Sequence, residues 1–124
     1  MVETERVKLI ENLFSEAVTY VEKGDAIQSS EKLYKAAEES IKALAKQFDL
    51  EEFKASEEEG RWTAMLFEKA VGKLVERLGM DVEQAWDSAN YLHIWGFHET
   101  RLDAEDVKRR IPVIRRLVEL TKKV

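Results

Sequence analysis

The chain has 124 residues, of which 44% are hydrophobic and 36% charged, with a net charge of −5, one proline, five glycines and no cysteine. Without cysteine there are no disulfides, thiolate metal sites or cysteine nucleophiles, and the composition suits a reducing cytoplasm, the expected location. The negative balance argues against bulk nucleic-acid binding. No apolar run approaches the roughly 18 residues of a membrane span, and Met1 runs directly into V-E-T-E-R, so neither membrane association nor a signal peptide is expected.

Ala, Glu, Lys and Leu dominate, and Val, Ile and Thr never alternate as in a strand, so one all-α domain over residues 1–124 is expected. A first helix is predicted from about Glu3 to Lys23, with Val7, Ile10, Phe14, Ala17 and Val21 at three- and four-residue spacing and Gly24 as its stop. Asp25 with Gln28 three residues on opens the second helix. Its apolar stripe is Ile27, Ser30, Tyr34, Ala37, Ile41, Leu44 and Phe48, and Glu31, Lys32, Lys35, Glu38, Glu39 and Lys42 cover the other side. A G-D-A…L-Y-K-A-A-E stretch in this helix is similar to half of a tetratricopeptide repeat, but no second copy follows at the required period.

Residues 49–61 are acidic and read as an exposed, partly mobile connection, in which Asp49 or Ser56 could begin a short helix and Gly60 end one. A third helix is predicted from Arg61 to Leu78, with Trp62, Leu66, Val71, Leu74 and Leu78 facing the core and Gly79 stopping it. A fourth, capped by Asp81 with Gln84, runs to about Phe97. The fifth starts at Asp103 with Asp106 at its third position and Leu102 stapling onto Val107. Pro112 lies inside it and is expected to kink it.

The fourth helix carries the clearest functional signal. Ser88 to Phe97 contains no Asp, Glu, Lys or Arg, and it runs directly into His98-Glu99. A segment so free of charge is expected to be buried on most sides, either as the centre of a bundle or as a dimer interface through the 86–98 helix. Ala85, Ala89, Leu92 and Gly96 form a small-residue stripe that lets another helix approach closely. Trp86, Asn90, His93 and Phe97 form a second stripe. Asp87, Tyr91, Ile94 and His98 form a third, with Trp95 beside it.

His93 and His98 are five residues apart, so on an α-helix they diverge by about 140°. That is a poor pair for one metal, H-E-x-x-H is absent, and no metal or cofactor is expected. His93 reads either as a buried histidine satisfied by Asn90 or a backbone carbonyl, or as part of a site. His98, Glu99 and Arg101 either end the helix or converge on a corner capable of general acid–base work. Trp62, Trp86 and Trp95 read as core or interface anchors, with Trp95, Asn90 and Arg61 also candidates for ligand contact.

Residues 107–124 place seven basic side chains against Glu119 alone, a net +6 that leaves −11 for the rest. The basic groups form two stripes, Lys108, Arg115 and Lys122 beside Arg109, Arg116 and Lys123. They read as a solvated face, or as a surface for phosphate or an acidic partner, for which residues 49–61 are one candidate.

The segment W-x4-Y-L-H-I-W-G-F-H-E-T-R-L-D-A-E-D-V (Trp86 to Val107), S-E-K-L-Y-K-A-A-E-E-S-I-K-A-L-A (Ser30 to Ala45) and G-R-W-T (Gly60 to Thr63) resemble the archaeal PaREP repeat-element proteins. These are similar to the HEPN superfamily. The resemblance implies an up-down helical bundle of four long helices plus a shorter segment, commonly dimeric, with links to nucleotides or RNA. Active HEPN ribonucleases carry an R-x4-to-6-H motif. If His98 is its histidine, the arginine is missing, because His93, Leu92 and Tyr91 stand at the three allowed positions. The resemblance therefore implies a non-catalytic, dimeric interaction or nucleotide-binding module. The alternative is an RNA- or nucleotide-processing enzyme that uses His98 and Glu99, with His93 and Arg101 as further candidates.

Overall fold

Helix-forming side chains lose little rotamer freedom in an α-helix, and in the computed structural model, which describes residues 1–124, every regular element is helical. The fold is an all-α bundle. α1 spans Thr4–Glu22 and α2 spans Ala26–Gln47, with Gly24 between them at φ +81. Asp25 caps α2 through its side chain on the Gln28 amide at 3.0 Å. α3 (Glu51–Glu59) and α4 (Ala64–Leu78) follow, then α5 (Asp81–Tyr91), which continues without a break into a π-helical segment, Leu92–His98. α6 (Ala104–Lys108) and α7 (Ile111–Lys123) complete the chain.

α2 is the axis of the bundle and touches every other element. Its small side chains make this possible. Ser29, Ser30, Ala36, Ala37, Ser40, Ala43 and Ala45 are all buried, on more than one face, together with Leu33, Ile41 and Leu44. Buried hydroxyls need partners: Ser29 Oγ donates to the Ala17 carbonyl of α1 at 2.8 Å, and Ser40 Oγ donates back to Ala36 O at 2.8 Å. The expected polar side of this helix is therefore half-covered, and of Glu31, Lys32, Lys35, Glu38, Glu39 and Lys42 only Lys35 is fully exposed. Ile27, assigned to the apolar stripe, is exposed.

Four local expectations are corrected. Residues 49–61 hold a regular helix, α3, rather than a loose connection. Gly60 ends it in the left-handed conformation, Ser56 sits inside it, and Glu52 is buried against Lys73 at 3.0 Å. Arg61 and Trp62 precede the next helix instead of opening it, because Thr63 is the cap, accepting from the Leu66 amide at 3.2 Å. Asp81 is the first residue of α5 and makes no capping bond; beside Glu83 it places negative charge at the helix N-terminus, where the dipole favours it. The fifth helix is two helices. Asp103 and Asp106 form the expected capping box, but α6 ends at Lys108, and Pro112 lies in the first turn of α7, where its missing N–H costs nothing.

The small-residue stripe behaves as expected. Ala85, Ala89, Leu92 and Gly96 are all buried, and Gly96 lies against α2. A β-carbon on Gly96 would stand 2.7 Å from Ser30 Cβ and overlap the Ser30 hydroxyl. Gly96→Ala, which in an exposed helix would stabilise, is therefore expected to cost about 1–3 kcal/mol by overpacking. Urea denaturation of the two single variants and the Ser30→Gly/Gly96→Ala pair measures this. The double variant should recover part of the Gly96→Ala loss, and strict additivity would show that the contact is not the cause.

Candidate functional site

The π-helical turn builds the site. Its amides reach one residue further back than α-helical ones, as in the Glu99 amide bonding Ile94 O at 2.9 Å. Widening the turn brings residues five apart onto one face. His93 and His98, which diverge on an α-helix, therefore meet with their Nε2 atoms 3.2 Å apart and their rings edge to face. The expected divergence is corrected for this reason.

His93 is fixed from the other side by α2. Its Nδ1 lies 3.0 Å from Glu31 Oε1, and its ring stacks on Tyr34 with centroids 3.9 Å apart. Glu31 and His93 are largely covered, with side chains 18% and 26% exposed, while His98 is open to solvent. Hydrogen-bond logic sets the neutral tautomers. An ionised Glu31 only accepts, so His93 carries its hydrogen on Nδ1 and offers a lone pair at Nε2, to which His98 Nε2–H donates. The result is a carboxylate–imidazole–imidazole chain from α2 to the surface, able to pass a proton or, with the His98 hydrogen moved to Nδ1, to present two nitrogen lone pairs.

The remaining candidates are dispersed. Asn90 Nδ2 donates to the Trp86 carbonyl at 2.8 Å, so Glu31, and not Asn90, partners His93. Glu99 and Arg101 are exposed beyond the π segment, and neither side chain bonds a histidine. The Arg101 amide closes the turn on Trp95 O at 2.7 Å. Arg61 lines an open groove with Glu38, Lys42, Trp62 and Phe67, away from the histidines. Trp86 is a core anchor. It donates to Glu68 Oε2 at 2.6 Å and stacks on Phe67 at 4.8 Å. No group of three or more His, Asp or Glu gathers as a metal site.

The charge-free segment is less buried than expected. Tyr91, Ile94 and Trp95 are 42%, 47% and 43% exposed and form an apolar surface beside His98. One face of Tyr91 is covered by the Arg110 guanidinium, 4.4 Å from the ring centroid. The basic stripes do not pair with residues 49–61. Lys122 bridges Glu11 of α1 at 3.2 Å and Glu119 at 3.3 Å, Arg115 covers Phe14, and Arg109 lies 3.8 Å from Asp106. Arg116 lies on the outer side of α7 near Asp81 and Lys123.

Glu31 and Tyr34 are the two site residues that sequence reasoning missed. Glu31 reads as one of many charges on a solvated face, and Tyr34 as core. The signal that would find them is their three-residue spacing, which puts both on the side of α2 facing His93.

A family model described as the archaeal PaREP1/PaREP8 family matches residues 5–118. A protein of Sulfolobus solfataricus with a known crystal structure is similar at 35% identity and a TM-score of 0.85, over 93% of this chain and 94% of that one. No curated protein matches.

Tyr34 gives the site a titration that can be followed. Burial, reinforced by the charge of neighbouring Glu38 and Glu31, pushes its hydroxyl well above the usual tyrosine range, and burial also raises the Glu38 carboxyl. A folded tyrosine that holds its proton longer than the unfolded one stabilises fully below about pH 10, and that contribution is lost as pH rises toward the folded value. In an ultraviolet titration, one of the three tyrosines should ionise later than the others, and Tyr34→Phe should remove that late step. Tyr34→Phe should also flatten the loss of stability above about pH 10; an unchanged alkaline slope would assign the loss elsewhere.

Proposed function

This chain belongs to the archaeal PaREP1/PaREP8 family, and from that premise we propose that it is a non-catalytic, HEPN-like interaction module of the cytoplasm, paired with a second copy through the 86–98 helix. One observation carries the reading: Tyr91, Ile94 and Trp95 lie exposed together on a segment with no charged side chain. Aromatic residues are enriched in the cores of interfaces, from which charge is depleted. A patch without charge is also suited to contact its own copy at a two-fold axis, where a charge lying on the axis would meet its like. The open flank of α7, with Arg116 and Lys123, is the surface left for a protein partner or for the phosphates of a nucleotide or RNA. No helix is long and apolar enough to cross a membrane.

A second reading, RNA or nucleotide processing, has one observation in its favour. His93 stands at the position of the motif arginine and touches His98. Glu99, the other residue of that reading, bonds neither histidine. An imidazole supplies no permanent positive charge for a phosphate, so the interaction reading is preferred.

Light scattering tests it. The wild type is expected at twice the chain mass, unchanged between low and high salt because apolar contact is not screened. Trp95→Asp should give a folded monomer. A wild-type monomer, or a Trp95→Asp dimer, would refute the pairing. Addition of a mixed single-stranded RNA separates the two readings: cleavage that disappears in His98→Ala would establish the enzyme.

A further inference from the structure

The two imidazole nitrogens that face each other across the π-helical turn have the spacing of metal ligands. In a tetrahedral zinc site with Zn–N bonds of 2.0–2.1 Å, two histidine nitrogens stand about 3.3 Å apart. His93 Nε2 and His98 Nε2 stand 3.2 Å apart. We propose that this pair binds a divalent transition-metal ion of the zinc class, one per chain, with its remaining coordination positions open to solvent.

Three features support the site besides the distance. The Glu31 carboxylate holds the Nδ1 of His93, the outer-shell contact that fixes the tautomer and ring orientation of metal-binding histidines. Stacking on Tyr34 locks the same ring, so one ligand is in place before the ion arrives. His98 is exposed, which gives the ion a path in and leaves solvent on its outer side. Neutral imidazoles, with no carboxylate bonded to the open side, select zinc, nickel or copper over magnesium or calcium, which prefer oxygen. Binding balances simply. His93 already presents its lone pair. His98 moves its hydrogen from Nε2 to Nδ1 by exchange with water, the hydrogen bond between the rings is given up, and the ion enters to one side of the line joining the two nitrogens, bonded to both. The net charge of the protein ligands is unchanged.

This inference does not depend on pairing of the chain, and its test is separate. The tag-free full-length protein is titrated with zinc by calorimetry and with cobalt by visible absorption. Uptake of one ion per chain is expected, with histidine side-chain nitrogen resonances of both residues shifting. His98→Ala, at an exposed position that leaves the fold intact by circular dichroism, should weaken binding at least 10-fold. Glu31→Gln should weaken it roughly 10- to 100-fold. One ion per two chains, lost in His98→Ala, would still place the ion on this pair, with a second copy filling the open positions. A folded wild type that takes up no ion, or a folded His98→Ala that binds as well as wild type, would overturn the proposal.

Discussion

The contact between Gly96 and Ser30 is the constraint on which the rest of the structure depends. There the π-helical segment lies against α2 so closely that no β-carbon fits between them. The Ser30 hydroxyl is enclosed without a hydrogen-bond partner. Such an enclosed hydroxyl costs about 1–3 kcal/mol, which the apolar packing around it must offset. Leu92 and Ala89, on the same stripe as Gly96, are fully buried. This crossing sets the height of the π turn over α2, and so places His93 on the Tyr34 ring and within reach of Glu31. A larger residue at 96 would disturb the imidazole pair as well as the core.

The charges are arranged around this contact rather than in it. Ion pairs such as Lys46 with Glu3 at 2.9 Å and Lys32 with Glu16 at 3.0 Å tie α1 to α2 along the surface, joined by Arg6 with Glu39. Each contributes little alone. Together the ion pairs of the surface engage nine of the twenty lysines and arginines, including Lys122 of the basic helix, with acids from the same chain. The strong positive bias of residues 107–124 is thereby partly spent within the fold. Arg116 and Lys123 of the basic helix stay exposed, as does the apolar surface at Tyr91, Ile94 and Trp95.

Much of this was legible in the sequence, because spacing and capping chemistry are local. The Asp25 cap, the Asp103–Asp106 box and the small-residue stripe ending at Gly96 all follow from residues within a few positions of one another. What was not legible depends on partners far along the chain. α3 looks like a loose acidic segment until Lys73 is brought against Glu52. Pro112 reads as a kink until the end of α6 at Lys108 turns it into a first-turn residue. Glu31, 62 residues from His93, is invisible as a site residue to any reading of one helix at a time.

The largest difference came from a single assumption about pitch. A spacing of five residues separates two side chains on an α-helix and aligns them on a π-helix, so one change in hydrogen-bond register turns an unpromising pair of histidines into neighbours. π turns are rare and less favourable than α turns, so tertiary contacts must hold one in place. Here the segment is fixed at its middle by Gly96 on α2 and at its end by Thr100 in the left-handed conformation (φ +51). A left-handed non-glycine residue stops the helix directly after Glu99 and turns the chain toward the α6 cap. The wide turn, its exposed aromatic face and its paired imidazoles therefore all follow from one change of hydrogen-bond register.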